Sequence, residues 1–292
     1  MQTKVGVAHS AYVTSLVREE PRLLDFVEIP FEQLVHAPDV IEVQQYVPVI
    51  LHCASLSIAG NLPPDGELIE RLRYWIEKTQ TPWLGEHLAY VRTDGVWKEV
   101  AEHTALSPRK NVHSQEQAFN VGYTVSPQFS IPVLERVQSA AHNWSRELKL
   151  PILLENGPIY FAMPGSSISQ FAFIDQLCAR SPDVRLLLDL AHLAVTCENL
   201  NLNPFSSMEG LPLDRVVEVH ISGFRKQSGM HWDDHTEPAP SIVFELLERL
   251  LCFSSPSAVT LEYNWDANFS RAALRRDVER VRGLLAAGGL GG

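Results

Sequence analysis

Eight short apolar segments, rich in Val, Ile and Leu, recur along the chain and are separated by longer stretches of mixed polarity. Most of them are nearly continuous rather than alternating, which is typical of parallel strands that are covered on both faces. We expect each segment to form a β-strand. The segments are VGVAH (5–9), FVEI (26–29), VILHC (49–53), WLGEHL (83–88), ILLEN (152–156), RLLLDL (185–190), VVEVHIS (216–222) and VTLEY (259–263).

The stretches between these segments show helical periodicity, clearest at residues 66–80, 131–148, 169–180, 240–251 and 274–285. Strand and helix alternate eight times, which predicts an α/β protein with a single (β/α)8 TIM barrel. The alternative, an open doubly wound sheet, usually has fewer strands and a glycine-rich first turn. The first segment, VGVAHS, has no such turn.

One interval, residues 89–151, is longer than a single crossover helix requires. Residues 89–103 carry a Thr-Asp-Gly turn between alternating apolar and polar positions, which predicts a β-hairpin. Residues 107–128 are polar and predict a loop. We therefore expect an insertion of roughly 89–130 over the carboxyl face of the barrel, after the fourth strand. The barrel domain is expected to span 1–285, with a flexible tail over 286–292.

Composition narrows the function classes. The 24 basic and 35 acidic residues give a net charge of −11, which disfavours a nucleic acid as the main partner. No apolar run is long enough for a transmembrane helix, and the N-terminal residues lack a secretory pattern. The four cysteines form no CxxC pair and lie in or beside apolar runs, so we expect them to be reduced and buried. These features predict a cytoplasmic protein.

The strongest chemical signal lies at the carboxyl ends of the predicted strands, where six consecutive strands each close on His, Asp or Glu. In a barrel these ends surround one mouth. The converging side chains are those of His52, His87, Glu155, Asp189, His192, His220, Asp233, His235 and Glu262.

A single His or Glu at a strand end is more often a hydrogen-bonded packing residue than a metal ligand. Nine such ionisable side chains at one barrel mouth are costly to bury unless cations compensate their charge. The sequence therefore predicts two or three divalent metal ions. The imidazole and carboxylate donors suit Fe, Mn or Zn and argue against Cu(I) or an iron–sulfur cluster. Spacing alone does not choose among those three metals.

The remaining candidates have weaker signals. His9 closes the first strand and is predicted to lie at the rim, and His231 is a weaker ligand candidate than the Asp233-x-His235 pair. Asp234 could replace Asp233 as a ligand. Solvated or loop histidines are expected at His36, His103, His113 and His142, and aromatic walls at Tyr90, Phe224, Trp232 and Trp265.

At these residues the chain resembles a known family. Segments 51–60, 84–91, 150–161, 185–204, 213–223 and 232–235 are similar to the multinuclear non-haem iron-dependent oxidases, which include the oxidase of methanobactin biosynthesis. The resemblance extends from the first strand to about Glu262. It implies a TIM barrel with two or three Fe(II)/Fe(III) ions that act with O2. It also implies a ribosomally made precursor peptide as substrate, modified most often at cysteine, and a small partner protein that captures the leader.

The order of the nine residues also resembles that of the trinuclear-zinc apurinic endonucleases and of xylose-isomerase-like barrels. Carried over from that shared pattern, Glu155 bridges two metals at the centre of the chemistry. One ion is held by His52 and His87. Asp189, His220 and Glu262 hold another, and His192, Asp233 and His235 hold the third. Side chains expected to support the ligands are those of Glu86, Asn156 and Asp234.

Two departures from the iron-oxidase pattern affect what can be transferred. The family pattern has Asn at the position of His192, so the histidine favours a third ion here. Residues 101–125 differ from the family in length and in sequence, so substrate recognition by this segment cannot be transferred. The sequence predicts an iron- and O2-dependent peptide-modifying oxidase. The alternatives are a metal-dependent phosphodiesterase, a sugar-isomerase-like enzyme and a non-catalytic metal-binding scaffold. The intact ligand set argues against the scaffold.

Overall fold

A computed structural model describes residues 2–10, 12–94, 118–263 and 270–288. Within them every predicted strand forms, and each observed strand end lies within one residue of the predicted end. In chain order the strands are β1 (Lys4–Ala8), β2 (Phe26–Pro30), β3 (Val49–Cys53), β4 (Leu84–His87), β5 (Tyr90–Asp94), β6 (Ala118–Val125), β7 (Ile152–Glu155), β8 (Arg185–Asp189), β9 (Val216–Ser222), β10 (Phe224–Gln227), β11 (Met230–Asp233) and β12 (Ala258–Glu262).

Eight of these strands close into a parallel barrel in the order β1-β12-β9-β8-β7-β4-β3-β2. Because all eight run in the same direction, their carboxyl ends meet at one mouth. The register places His52 opposite Gly85, His87 opposite Glu155, and Asp189 opposite His220. The prediction of a TIM barrel is confirmed.

Helices cover the outside of the barrel, and all five predicted helices are present. The described helices are α1 (Val13–Glu19), α2 (Phe31–His36), α3 (Gly66–Thr79), α4 (Ile131–Leu148), α5 (Gln170–Arg180), α6 (Leu190–Leu200), α7 (Pro204–Glu209), α8 (Ser241–Leu250) and α9 (Arg271–Gly288), with short 3-10 helices at Pro38–Gln45 and Leu213–Arg215. Across the described residues, none of the helices combines the length and apolar character that crossing a membrane requires.

Side chains alternate between the two faces of each barrel strand. On β2, Val27 and Ile29 belong to the large core between strands and helices, whereas Phe26 packs inside the barrel with Ile50 and Ala258. Gly6 makes room for this plug, because a Cβ there would lie 2.5 Å from the Phe26 ring. The apolar plug closes the amino end of the barrel, so polar interior positions are left for the carboxyl end.

The insertion after β4 differs from its prediction. Strand β5 pairs in antiparallel fashion with β6, and Asp94 lies opposite Ala118. Residues 118–125, which the sequence analysis assigned to a loop, are therefore a strand. The predicted hairpin partner directly after Gly95 lies outside the described residues. The domain limit at 285 stays a prediction, although α9 continues to Gly288.

A second antiparallel pair, β10 and β11, was not predicted. Its connection is Ser228-Gly229, with φ angles of 52° and 84°. Two consecutive positive φ angles define the primed turn that suits a two-residue hairpin. This hairpin delivers Asp233 to the barrel mouth.

The cysteines match expectation except at one position. All four are free thiols, and Cys53, Cys178 and Cys197 are buried, but Cys252 is exposed just after α8. Its Sγ lies 3.6 Å from the carbonyl oxygen of Glu248, one turn earlier. The expectation that all four are buried is therefore wrong for Cys252.

Candidate metal centre

Glu155, at the end of β7, lies at the centre of the barrel mouth. Its Oε2 is 2.9 Å from Nε2 of His52 and 3.2 Å from Nε2 of His87. Its Oε1 is 3.5 Å from Nδ1 of both His192 and His220. One fully buried carboxylate thus contacts four imidazoles from four parts of the chain. This central position is compatible with a bridge between two ions, which stays a prediction.

The deep side of the mouth gathers the predicted second group. Nδ1 of His220 lies 3.1 Å from Oε2 of Glu262. One donor atom from each of Glu155, Asp189, His220 and Glu262 lies within 4.8 Å of the others. A group of four O and N donors at this spacing can hold one divalent ion.

The predicted third group lies towards the β11 side. His192 Nε2 is 2.9 Å from Oδ2 of Asp233, and His235 Nε2 is 3.0 Å from the same oxygen. Their donor atoms also lie within 4.8 Å of one another. The expectation that Asp233 and His235 face the same way agrees with this contact.

Helix α6 begins at this site, and its first turn positions two candidate ligands. Asp189 is the N-cap, and its Oδ1 accepts a 2.6 Å hydrogen bond from the backbone N–H of His192. Asn156 binds the backbone of Asp189 through both ends of its amide at 2.9 Å. The backbone carbonyl of Asn156 lies 2.8 Å from Nδ1 of His192. If that nitrogen carries the proton, Nε2 is left free for a metal.

The backbone at His235 is held in the left-handed region, with φ of 58°. A residue other than glycine adopts this conformation at a cost, and such residues cluster at functional sites. The N–H of His235 donates to the Gly223 carbonyl at 3.3 Å. This turn brings the imidazole back over Asp233.

Gly85 makes space for the His52 ring. A Cβ at this position of β4 would lie 2.6 Å from Cδ2 of His52 and 3.0 Å from Cδ1 of Leu187. Any other residue would displace one of them, because real Cβ contacts are not that short. The glycine therefore allows His52 to reach Glu155.

Burial and the charges of neighbouring groups shift the pKa values of these histidines in opposite directions. Burial disfavours the charged ring of His52, but the hydrogen bond and charge of Glu155 outweigh it and raise the pKa of His52 to about 10. The pKa of His235 is likewise raised to about 9, because Asp233 outweighs burial. Burial raises the pKa of Asp189 to about 7 and lowers the pKa of His87. The charged form of the ring is therefore favoured at His52 beside Glu155 and at His235 beside Asp233, but not at His87.

Some buried donor atoms of the cluster lack a hydrogen-bond partner. Among the described residues, no hydrogen-bond partner is found for the buried atoms Glu155 Oε1 and Asp189 Oδ2. Buried polar atoms without partners are costly, and a divalent cation bound between them would satisfy them together. The residues present therefore fit two or three divalent ions bound by N and O donors.

Three residues were predicted to support the ligands, and they lie in different places. Asn156 contacts Asp189 and His192 as described above. Glu86 points away from the barrel interior: its Oε2 accepts from the Leu56 N–H at 3.4 Å, and burial raises its pKa well above the usual range. Asp234 forms an ion pair with Arg225 of the hairpin.

The weaker candidates lie beside the site or away from it. His9 is hydrogen-bonded to Gln33 at 3.2 Å and to Thr14 at 3.1 Å, as expected for a rim residue. His231 packs edge-on against Phe224, with ring centroids 5.9 Å apart. His36 ends α2 and His142 lies on α4. His103, His113 and Trp265 lie outside the described residues.

Among the predicted aromatic walls, Trp232 has a defined partner. Its ring lies against that of Tyr160 with centroids 4.8 Å apart, and 39% of Trp232 is exposed. Since Trp232 directly precedes Asp233, this pair forms an aromatic rim beside the third group. Tyr90 begins β5 and lines a surface crevice of about 280 Å³ with Arg92 and Arg136.

Sequence reasoning missed two buried carboxylates under the centre. Glu28 of β2 lies 3.1 Å from Nε2 of His220 through its Oε2, and Glu218 of β9 lies 3.9 Å from the same nitrogen. Both point into the barrel one layer below the predicted ligands. The available signal was a carboxylate inside each of two otherwise apolar strand segments.

The family described as RiPP precursor modification enzyme MbnB/TglH/ChrH matches residues 4–286. The chain belongs to this family. Its members are named for modifying the precursors of ribosomally synthesised, post-translationally modified peptides. A relative from Caulobacter vibrioides, named UPF0276 protein, is 26% identical over 269 residues, which are 90% of this chain and 86% of that protein.

Solved structures support the fold of this MbnB/TglH/ChrH family member. Endonuclease IV from Thermus thermophilus is similar with a TM-score of 0.54 and 17% identity, over 97% of this chain and 99% of that one. A xylose isomerase-like TIM barrel/4-hydroxyphenylpyruvate dioxygenase fusion protein is similar with a TM-score of 0.55 and 11% identity, over 95% of this chain and 41% of that one. An endonuclease and a xylose isomerase-like protein, the two kinds of barrel that the sequence analysis expected, are thus both similar to this chain in fold.

Proposed function

We propose that this chain is a multinuclear non-haem iron enzyme that uses O2 to oxidise a cysteine of a ribosomally synthesised precursor peptide. The observation that carries the proposal is Glu155, whose two carboxylate oxygens contact imidazoles of His52, His87, His192 and His220. Membership in a family of RiPP precursor modification enzymes supports a peptide substrate. The absence of thiolate from the described donor groups supports iron over softer metals.

The candidate ligands differ in exposure: some are buried at the base of the site and others are accessible at its rim. The side chains of Glu155 and His220 are 1% and 0% exposed, whereas those of His87 and His235 are 23% and 20% exposed. The buried residues would hold the ions and exclude water from beneath them. A substrate side chain would approach from the rim. Bound iron supplies open coordination positions and redox equivalents for a thiolate and O2.

The aromatic rim and the charge of the chain favour a peptide over a polyanion. Trp232 stacked on Tyr160 offers a rigid apolar wall beside Asp233. Of the adjacent basic pair near the mouth, Arg225-Lys226, Arg225 already forms an ion pair with Asp234. We propose that a small partner protein binds the leader and delivers the cysteine to this rim.

Reconstitution tests the proposal. Metal-free protein is loaded anaerobically with Fe(II), Zn(II) or Mn(II) and then exposed to O2 with a cysteine-containing precursor peptide, with and without a small leader-binding protein. We expect oxygen uptake and a mass change in the peptide with iron, and neither with a Cys→Ser peptide. Equal activity with zinc and no oxygen uptake would contradict the proposal.

A second candidate is a divalent-metal phosphodiesterase, which is favoured by the group His192, Asp233 and His235, because this group shares no residue with those around Glu155 and could hold an additional ion. Such an enzyme uses its metals as Lewis acids and a bound hydroxide as nucleophile. The net charge of −11 argues against a DNA substrate. Cleavage of duplex DNA with an abasic site by the zinc-loaded protein would favour this candidate over the oxidase.

A further inference from the structure

Two carboxylates lie inside the barrel directly beneath the metal centre. Glu28 is 1% exposed and Glu218 is fully buried. One oxygen of each lies within 4.8 Å of the other and of a ring nitrogen of His220. Ionised carboxylates at such depth are costly without a specific partner, so their placement requires a physical reason.

His220 separates these carboxylates from the metal centre. Its Nδ1 faces Glu262 at 3.1 Å and Glu155 at 3.5 Å, on the side of the candidate ligands. Its Nε2 faces Oε2 of Glu28 at 3.1 Å, on the opposite side. A neutral imidazole carries its proton on one nitrogen, so a metal on Nδ1 requires the N–H on Nε2, where Glu28 accepts it.

Glu218 is less suited to accept that proton. Its Oε1 accepts a 2.6 Å hydrogen bond from Thr260 and its Oε2 accepts one of 2.6 Å from Trp83 Nε1. Its distance to His220 Nε2, 3.9 Å, is beyond hydrogen-bond range. Glu28, in contrast, has His220 as its side-chain hydrogen-bond partner among the described residues.

The contact between Glu28 and His220 spans the barrel. Strands β2 and β9 are separated by β1 and β12 in the closed sheet, and the two residues are 192 positions apart. Because these strands are not neighbours in the sheet, the hydrogen bond forms between two side chains that both point into the barrel interior. It fixes the rotation of the His220 ring from below while the metal side is left open.

We propose that Glu28 is a positioning residue, which accepts the Nε2–H of His220 and so makes Nδ1 the metal-binding nitrogen. A carboxylate behind a ligating histidine orients the ring and raises its basicity, and its loss typically lowers metal affinity about 10- to 100-fold. The inference rests on the metal-binding part of the proposed function and not on its oxidation chemistry.

Titration with Co(II), without iron, O2 or peptide, tests the role of Glu28. Glu28→Gln keeps an acceptor oxygen but lacks the charge, and Glu28→Leu lacks both. We expect Co(II) affinity, measured by chelator competition and by ligand-field absorption, to fall about 10-fold in Glu28→Gln and about 100-fold in Glu28→Leu. The number of ions bound at saturation should stay that of the wild type. The matched control is Glu32→Gln, because Glu32 accepts from Ser55 and from the Ala54 N–H but contacts no candidate ligand.

A second measurement reads the tautomer directly. In Zn(II)-loaded protein with 15N-labelled histidine, His220 should show a protonated Nε2 in the wild type, and a His220→Gln sample assigns the signal. Exchange of this proton with solvent should be faster in Glu28→Leu. Unchanged affinity in both Glu28 variants would overturn the proposal. A loss of one ion at saturation would also overturn it, because Glu28 would then be a ligand of its own ion.

Discussion

His52 and Glu155 are 103 residues apart in the chain, yet Nε2 of the imidazole lies 2.9 Å from Oε2 of the carboxylate. Strand β4 lies between β3 and β7, so three adjacent strands must be in register for the two side chains to meet. The same register places His87 opposite Glu155. The contact between His52 and Glu155 is therefore formed by barrel closure and not by any local motif.

Removing the charge at Glu155 should empty the centre without unfolding the barrel. In Glu155→Gln, a neutral amide replaces the carboxylate between four imidazoles, and we expect the loss of at least about one ion per chain and the loss of turnover. Elemental analysis and circular dichroism measure metal content and fold. His142→Ala on the outer surface of α4 is the control and should keep wild-type metal content. Equal losses in both variants would mean that strand-end position does not identify the ligands.

His192→Asn tests the third group separately. Imidazole is a better donor to a divalent ion than a neutral amide, so this variant should lose about one ion per chain while the ions that Glu155 contacts remain. An anomalous-scattering map at the iron edge, compared with the wild type, would show which position has lost its ion. Full occupancy everywhere in the variant would leave His192 as a packing residue that bonds Asp233 and Asn156.

The metal-free protein should become less stable as pH rises from neutral. The pKa of His52 is raised from 6.5 to about 10 and that of His235 from 6.5 to about 9, so the folded state binds more protons than the unfolded state between these values. Their contribution to the free energy of unfolding is complete below pH 6.5 and is lost as pH rises through about 9 to 10. Urea denaturation of chelator-treated protein across this window measures the loss. Metal-loaded protein should show a smaller decline, because the metal then occupies the nitrogens; parallel curves for the two forms would contradict this account.

Gly85→Ala should disturb the centre although it introduces only a methyl group. The new Cβ would lie 2.6 Å from Cδ2 of His52, and overpacking of this kind costs about 1–3 kcal/mol. We expect a lower melting temperature and weaker metal binding, measured by calorimetry and elemental analysis. Gly283→Ala, in α9 with no atom within 4 Å of the new Cβ, is the control and should be more stable by about 1 kcal/mol.

The convergence of the nine strand-end residues could be predicted because it depends on two simple regularities. Parallel strands of a barrel end at one mouth, and alternate residues of each strand point inward. Glu262 occupies the last inward position of β12 and His220 the last but one of β9, and both follow these rules. Their metal-binding roles remain predictions, to which the contacts with Glu155 and with each other add support.

Glu28 and Glu218 could not be placed from the sequence, because their partner lies across the lumen. A carboxylate within FVEIP or VVEVHIS interrupts an apolar run, but nothing in either segment specifies that both approach the ring of His220. Strand β6 and the hairpin of β10 and β11 were missed for a different reason. Residues 118–125 alternate apolar and polar side chains, and Ser228-Gly229 is a typical hairpin turn, so their local signals existed. The polarity of the surrounding residues obscured them.

The pairing of imidazoles with carboxylates at the barrel mouth also affects how the enzyme would mature. In the metal-free chain, His52 with Glu155 and His235 with Asp233 form proton-carrying pairs, so part of the charge buried at the mouth is balanced before any ion binds. An entering metal ion must displace these protons, so we expect metal uptake to release protons and to weaken as the pH falls. The acidity of the surroundings during loading, and not only the supply of metal, would then set how many ions each chain carries.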